Sequence, residues 1–245
     1  MIPDWQLPPG VDRGVWDYIH ATEMISEYDA TIGQSPLAAA DVAFCERHFP
    51  TPGRLVDLGC GTGRLCRHFA TKGYECWGID LSDEMLAKAR SAADGLPIRF
   101  LKANLVELSE LPSATFDYAA CLFSTLGMVR GAHHRKTAVA TMQRLLRPGG
   151  RLALHVHNRF FRGLGWHRVL GQRWKWLTGQ ADAGDFTMPQ SYGGAPLTLH
   201  HFTRREAVHL LKDAGFTVRE VLGLGITGLP ASRSQIYGWL LLGER

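Results

Sequence analysis

Residues Leu55 to Arg64 read LVDLGCGTGR. An apolar run ends in an acid, Asp57, and three glycines follow at every second position: Gly59, Gly61 and Gly63. Glycine has no Cβ and tolerates positive φ, so such a turn can pass its backbone against a bulky ligand. A helix starting directly after it would aim its free N-terminal amides at the same ligand. The spacing separates ligand classes. The dinucleotide fingerprint is G-x-G-x-x-G, with a pyrophosphate on the helix N-terminus. Here the spacing is G-x-G-x-G, and Arg64 occupies the third-glycine position of that fingerprint. Its bulk opposes close helix–strand packing, which argues against NAD and an NAD-linked oxidoreductase.

Other residues could take or hold protons. ALHVHN places His155 and His157 on one face of a strand by the two-residue period. His157 is nearer the carboxyl end and is the preferred pocket histidine. In LTLHHFT, His200 and His201 point oppositely, so at most one faces a site. His133 and His134 read as surface histidines at a helix start. Tyr28-Asp29 precedes the first core helix, and Tyr192 sits in PQSYGG. The stretch Arg159 to Leu177, RFFRGLGWHRVLGQRWKWL, mixes Arg and Lys with Phe and Trp and has no acid. Three readings compete for it. It can be a lid whose aromatics line an acceptor pocket while an arginine binds a carboxylate. It can lie on an anionic membrane surface. It can follow a nucleic-acid backbone with its aromatics stacked on bases.

The elements that must position these residues alternate. Ser35-Pro36 is a helix start of the N-cap and N1 type, followed by a helix through Leu37–His48. Strands are expected at Arg54–Leu58, Glu75–Ile79, Ile98–Lys102, Phe116–Leu122 and Arg151–Val156. Helices are expected at Arg64–Ala70, from Ser82 through Arg90, and at His133–Leu146. Thr203-Arg204-Arg205-Glu206 is a capping box opening a helix to Ala214. Phe216–Leu222 and Gln235–Leu242 read as two closing strands. This rhythm predicts an α/β, doubly wound parallel sheet with helices on both faces. Between 159 and 200 no clear period is visible.

Composition narrows the partners. Hydrophobic residues make up 45% and charged residues 20%, which excludes a disordered chain. The length, 245 residues, suits one large α/β domain. We divide it into an N-terminal cover (1–34), a core (35–158), an acceptor-lid insertion (159–200) and a C-terminal helix with strands (201–245). The net charge of +4 is weak for a nucleic-acid footprint. No apolar run approaches ~18 residues, so no transmembrane segment is expected. MIPDWQLPPG lacks a signal-peptide layout, and cytoplasmic localisation is expected. Five cysteines never form CxxC, which fits reduced thiols rather than disulfides or a metal site.

DLGCGTGR resembles motif I of the class I S-adenosylmethionine (SAM)-dependent methyltransferases, and the order of motifs over residues 30–158 agrees. ECWGID ends in Asp80, which resembles the family acid that accepts from both ribose hydroxyls. LKANLVEL places Asn104 where the family usually has an aspartate at the adenine amino group. FDYAACLFSTLGM matches the fourth strand, whose end lines the methionine side. LRPGGRLAL matches the turn before strand five. The resemblance implies a seven-stranded, mostly parallel sheet with an antiparallel last strand. It implies SAM as cofactor, S-adenosylhomocysteine as product, and a cofactor site of Asp57, Gly59, Cys60, Gly61, Thr62, Gly63, Asp80, Leu81, Met85, Asn104, Leu105, Cys121, Leu122 and Phe123. By position His157 and His200 are the candidate catalytic residues, together with Tyr28, whose YD pair resembles one that closes over SAM or the acceptor in related small-molecule methyltransferases; Tyr192, Arg159, Trp166 and His201 are the candidate acceptor pocket.

The D/N-P-P-Y/F segment of nucleic-acid amino methyltransferases is missing from CLFSTLGM, and no Pro-Cys of a cytosine C5 enzyme occurs. A small, aromatic or otherwise hydrophobic acceptor methylated on O or N is therefore expected. RNA or lipid-like acceptors, and a non-catalytic SAM-binding module, remain as alternatives.

Overall fold

Ser35 starts the first core helix for two local reasons. Its hydroxyl accepts from the Ala38 N–H at 3.2 Å, and Pro36 brings a preset φ to the first helical position. The resulting α3, Pro36–His48, follows two shorter helices, α1 (Arg13–Ile19) and α2 (Thr22–Thr31). The structure, a computed structural model, describes residues 2–180, 183–188, 195–232 and 235–245.

After α3 the chain alternates as β1 Arg54–Leu58, α4 Arg64–Ala70, β2 Glu75–Asp80, α5 Asp83–Ala93, β3 Ile98–Lys102 and β4 Phe116–Cys121. The helices α6 (Thr125–Met128) and α7 (Ala132–Leu145) lead to β5, Leu146–His157. Then come α8 (Trp166–Leu177), a small antiparallel pair, β6 (Asp185–Thr187) with β7 (Thr198–His200), α9 (Arg204–Asp213), β8 (Thr217–Leu224) and β9 (Gly238–Glu244). The main sheet has the order β3-β2-β1-β4-β5-β9-β8. β1 to β5 are parallel, while β9 runs antiparallel to both β5 and β8. Strand order reverses between β1 and β4, so their carboxyl ends flank a crevice.

β1, β4 and β5 are buried on both faces, which is why they read as apolar runs rather than alternations. One apolar cluster lies on the α7/α9 side of the sheet around Phe116, Leu154 and Leu241; the other lies on the α3/α4 side around Phe49, Phe69 and Leu240. Thr203 and Glu206 make both bonds of the capping box at α9.

Two expectations change. β5 begins at Leu146, not Arg151, because Leu146 pairs with Phe116 and the Pro148-Gly149-Gly150 turn is taken up as a register irregularity. The insertion is not periodless, since it contains α8 and the β6/β7 pair. Among the described residues no helix is long and apolar enough to cross a membrane.

Leu154 is fully buried between β4 and β9. Leu154→Ala is expected to lower unfolding free energy by ~2–5 kcal/mol, measured as a shift of the urea midpoint at unchanged slope.

Candidate active site

The glycine turn is fixed by the strands on either side of it. Gly59 and Cys60 both donate to Ile79 O, at 2.8 and 2.9 Å, so the turn after β1 hangs on the end of β2. Gly59 has φ +85°, and a Cβ there would lie 2.3 Å from Thr125 Cγ2. Gly63, at φ +73°, is the N-cap of α4. The carboxylate of Asp80 closes the arrangement, with Oδ2 accepting from Gly61 N–H at 2.8 Å and Oδ1 from Ser82 N–H at 3.0 Å. Burial pushes the Asp80 carboxyl up, and backbone hydrogen bonds from Ser82, Gly61 and Leu81 only partly offset this.

A cavity of about 390 Å³ opens over these strand ends. Its floor holds Asp57, Gly59, Cys60, Gly61, Thr62, Asp80, Leu81, Met85, Asn104, Leu105, Leu122 and Phe123. The Asp80 carboxylate and the Gly59–Gly61 backbone, held together by that hydrogen bond, line one side of this cavity, with the Tyr28 ring beside Gly61. Asn104 lines the wall with its amide already engaged: Nδ2 donates to Pro9 O at 2.9 Å, and Oδ1 accepts from Val106 N–H at 3.1 Å. Contact with an adenine amino group would use the remaining lone pair of Oδ1.

Asp57 is buried beneath the turn. Burial raises its carboxyl to about 7; Arg64 opposes the shift, while Asp80 and Asp41 add to it. Arg64, beside it in the cavity wall, donates to Ala38 O at 2.9 Å.

The roof comes from the N-terminal helices and the insertion. Tyr18, Met24 and Tyr28 face Leu197 and Leu199 across the opening. Thr62 Oγ1 donates to Asp29 Oδ1 at 2.5 Å, and Ser82 Oγ donates to Ile19 O at 2.7 Å, so the cover is tied directly to the turn and to α5. Burial is the main reason the Tyr28 phenol is pushed up, with Tyr18 and Asp80 adding to it.

At the end of β4 the backbone is strained. Phe123 and Ser124 take φ +50° and +63°, a left-handed pair without glycine. Ser124 N–H donates to His155 O, and its Oγ accepts from His157 N–H. The turn carries Phe123 into the cavity wall, 6.2 Å from the His157 ring.

His157 lines the cavity, buried, with neither ring nitrogen hydrogen-bonded among the described residues. Burial, with His201 and His155 nearby, holds its pKa well below the usual imidazole value, so the ring is neutral. Tyr237 packs on it at 4.7 Å between ring centroids. His155, on the same strand face, is instead fully buried, with Nδ1 2.7 Å from Asp41 Oδ1.

Several expected residues lie elsewhere. His200 is held with Nδ1 2.7 Å from Asp185 and Nε2 2.7 Å from Glu206, so neither nitrogen is left for proton transfer. Burial raises these two carboxyls, but the His200 hydrogen bonds and nearby arginines outweigh it and hold both below their usual values. Arg159 is buried and pairs with Glu206 at 2.6 Å, away from the cavity. Trp166 is 65% exposed on α8. His201 stacks on Phe186 behind His157, and burial lowers it to about 4. Cys121 is inside β4, and Gly63 faces Phe100. Tyr192 lies outside the described residues. Sequence reasoning missed Tyr18, Met24, Leu197, Leu199 and Tyr237, which no motif marks and only tertiary packing brings together.

The methyltransferase-domain family model matches residues 55–150. A demethylmenaquinone methyltransferase from Thermus thermophilus is 33% identical over 186 residues, which is 73% of this chain and 81% of that protein. A Bacillus subtilis relative named as a methyltransferase is 32% identical over 136 residues, 55% of this chain. The chain spans about half the length (54%) of that relative. A SAM-dependent methyltransferase structure from Methanosarcina mazei superposes with a TM-score of 0.65 at 25% identity, covering 82% of this chain and 96% of that one.

The Asp57 carboxyl gives a test that needs no ligand. The folded chain keeps this proton up to about pH 7, while the unfolded chain releases it near ~4. Folding therefore loses stability through that window as pH rises. Asp57→Asn is expected to flatten the slope, read by urea unfolding at a series of pH values. Parallel slopes in both proteins would assign the dependence to other groups.

Proposed function

The chain belongs to the class I SAM-dependent methyltransferase family, and from that premise we propose that it methylates an O or N atom of a small, apolar or aromatic acceptor, with His157 as the proton acceptor. When bound, SAM supplies a methyl group already activated on a sulfonium. The chain's residues then have three tasks: hold the cofactor, align the acceptor in line with the S–CH₃ bond, and exclude water.

We assign the ribose to Asp80, the adenine to the wall of Leu81, Met85, Asn104 and Leu105, and the methionyl end to Gly59–Thr62, Asp57, Leu122 and Phe123. The acceptor lies under the apolar roof of Met24, Leu197 and Leu199, near Tyr28 and His157. Bound SAM would give its methyl to the acceptor's lone pair, the C–S bond breaking as the new bond forms and S-adenosylhomocysteine being the product. A hydroxyl or ammonium acceptor also gives up a proton, which the free imidazole nitrogen of His157 can take.

The observation that carries this reading is the neutral, buried His157 at the cavity wall, with neither ring nitrogen partnered among the described residues. Buried polar atoms are normally satisfied, so such a ring points to a ligand that completes it. The apolar roof and the relative named for demethylmenaquinone support a small-molecule rather than a nucleic-acid acceptor.

Calorimetry with S-adenosylhomocysteine tests the cofactor half. Asp80→Asn is expected to weaken binding roughly 10- to 100-fold, the cost of a charged hydrogen-bond acceptor. Unchanged affinity would remove the ribose assignment. For the chemistry, a panel of phenols, aromatic acids and amines is offered with methyl-labelled SAM. His157→Gln is expected to lower kcat by ~10²–10⁴-fold with S-adenosylhomocysteine affinity preserved. Cofactor binding without turnover on any acceptor would favour the non-catalytic module. Turnover on RNA alone would end the small-molecule reading.

A further inference from the structure

α8 is docked with the wrong face outward for a helix of a water-facing surface. Taking 100° per residue, Leu177, Leu170 and Trp174 fall close together on one side with Trp166 beside them. Gln172 falls on the opposite side. In a surface helix the apolar stripe normally faces the core. Here Gln172 is the buried residue of α8, with Nε2 donating to Asp185 O at 2.9 Å and Oε1 accepting from Gly184 N–H at 2.6 Å. The apolar side is open: Trp166, Leu170, Trp174 and Leu177 are 65, 51, 61 and 74% exposed. Isolated exposed hydrophobes need no explanation, but a contiguous apolar stripe on one helix marks a contact surface.

Charge identifies what it contacts. Residues 118–181 contain no Asp or Glu. Arg173 is exposed next to Trp166 at the edge of the stripe and Arg162 is exposed just before the helix, and among the described residues neither pairs with a carboxylate. Bringing two copies of this helix together would set these cations against each other. An anionic lipid surface instead meets both features at once: Trp and Leu side chains enter the boundary between headgroups and acyl chains, while arginines remain among the anionic headgroups. The length also fits, since 12 residues lie in an interface rather than cross it.

We propose that α8 is an interfacial anchor that docks the protein on an anionic bilayer through Trp166, Leu170, Trp174 and Leu177. Gln172 joins the anchor to Asp185 on β6, and β6 pairs with β7, whose Leu199 roofs the cavity. Docking therefore holds the cavity roof beside the lipid.

Co-sedimentation with vesicles tests this without cofactor or acceptor, so its failure is separate from failure of the methyl-transfer reading. The full chain is expected to sediment with phosphatidylglycerol-containing vesicles, to stay in solution with pure phosphatidylcholine, and to be released by raised salt. Leu170→Ser with Trp174→Ser is expected to abolish binding. Arg173→Glu is expected to weaken it roughly fivefold or more. These side chains are exposed, so the variants keep the fold, checked by circular dichroism. No binding of the natural chain to anionic vesicles would overturn the proposal. Undiminished binding of the double variant would do the same, as would self-association in analytical ultracentrifugation that the double variant removes.

Discussion

The carboxylate of Asp80 is the group on which the site is hung. It is buried at the end of β2, yet it accepts N–H bonds from Gly61 on one side and Ser82 on the other. Those bonds join the turn after β1 to the start of α5. Burying a carboxylate is costly unless fixed dipoles meet it, and here the dipoles belong to the turn that must be shaped. The glycines complete the constraint. Gly59 has no room for a Cβ against Thr125, and Gly63 takes the left-handed conformation that starts α4.

Everything above that floor is carried by tertiary contacts. The N-terminal cover reaches the turn through Asp29 and Thr62, and α5 through Ile19 and Ser82. The insertion is fastened from the other side. His200 bridges Asp185 and Glu206, Arg159 also holds Glu206, and Arg130 pairs with both Asp12 and Asp185. This polar network links the cover, the insertion and α9 beside the cavity without entering it. His200 and Arg159 are thus structural ties, whereas His157 lines the cavity.

The floor was legible because its information is local. Asp57, Gly59, Gly61 and Asp80 lie at strand ends that alternation alone locates, and the caps at Ser35, Ser82 and Thr203 mark helix starts within a residue. The two-residue period also put His155 and His157 on one face, although it could not say that Asp41, over a hundred residues away, occupies the first and leaves the second free. His200 misled for the same reason, because its carboxylate partners come from β6 and α9. Trp166 misled because an aromatic in an insertion reads as pocket lining, whereas here the helix turns its apolar side outward. That inversion also hid α8, since the expected pattern of apolar residues facing the core was absent.

The five cysteines have a further consequence. Cys45, Cys60, Cys66, Cys76 and Cys121 are all buried and unlinked, and burial raises each thiol, Cys76 and Cys121 to about 12. Thiolate is the reactive form, so burial and the raised thiol pKa values slow alkylation of the folded chain. The thiols sit in α3, α4, β2, β4 and the glycine turn, and modification at each one records when that part of the molecule comes open. The native sequence thus carries a built-in set of chemical clocks, and the one at Cys60 keeps time for the cofactor floor itself.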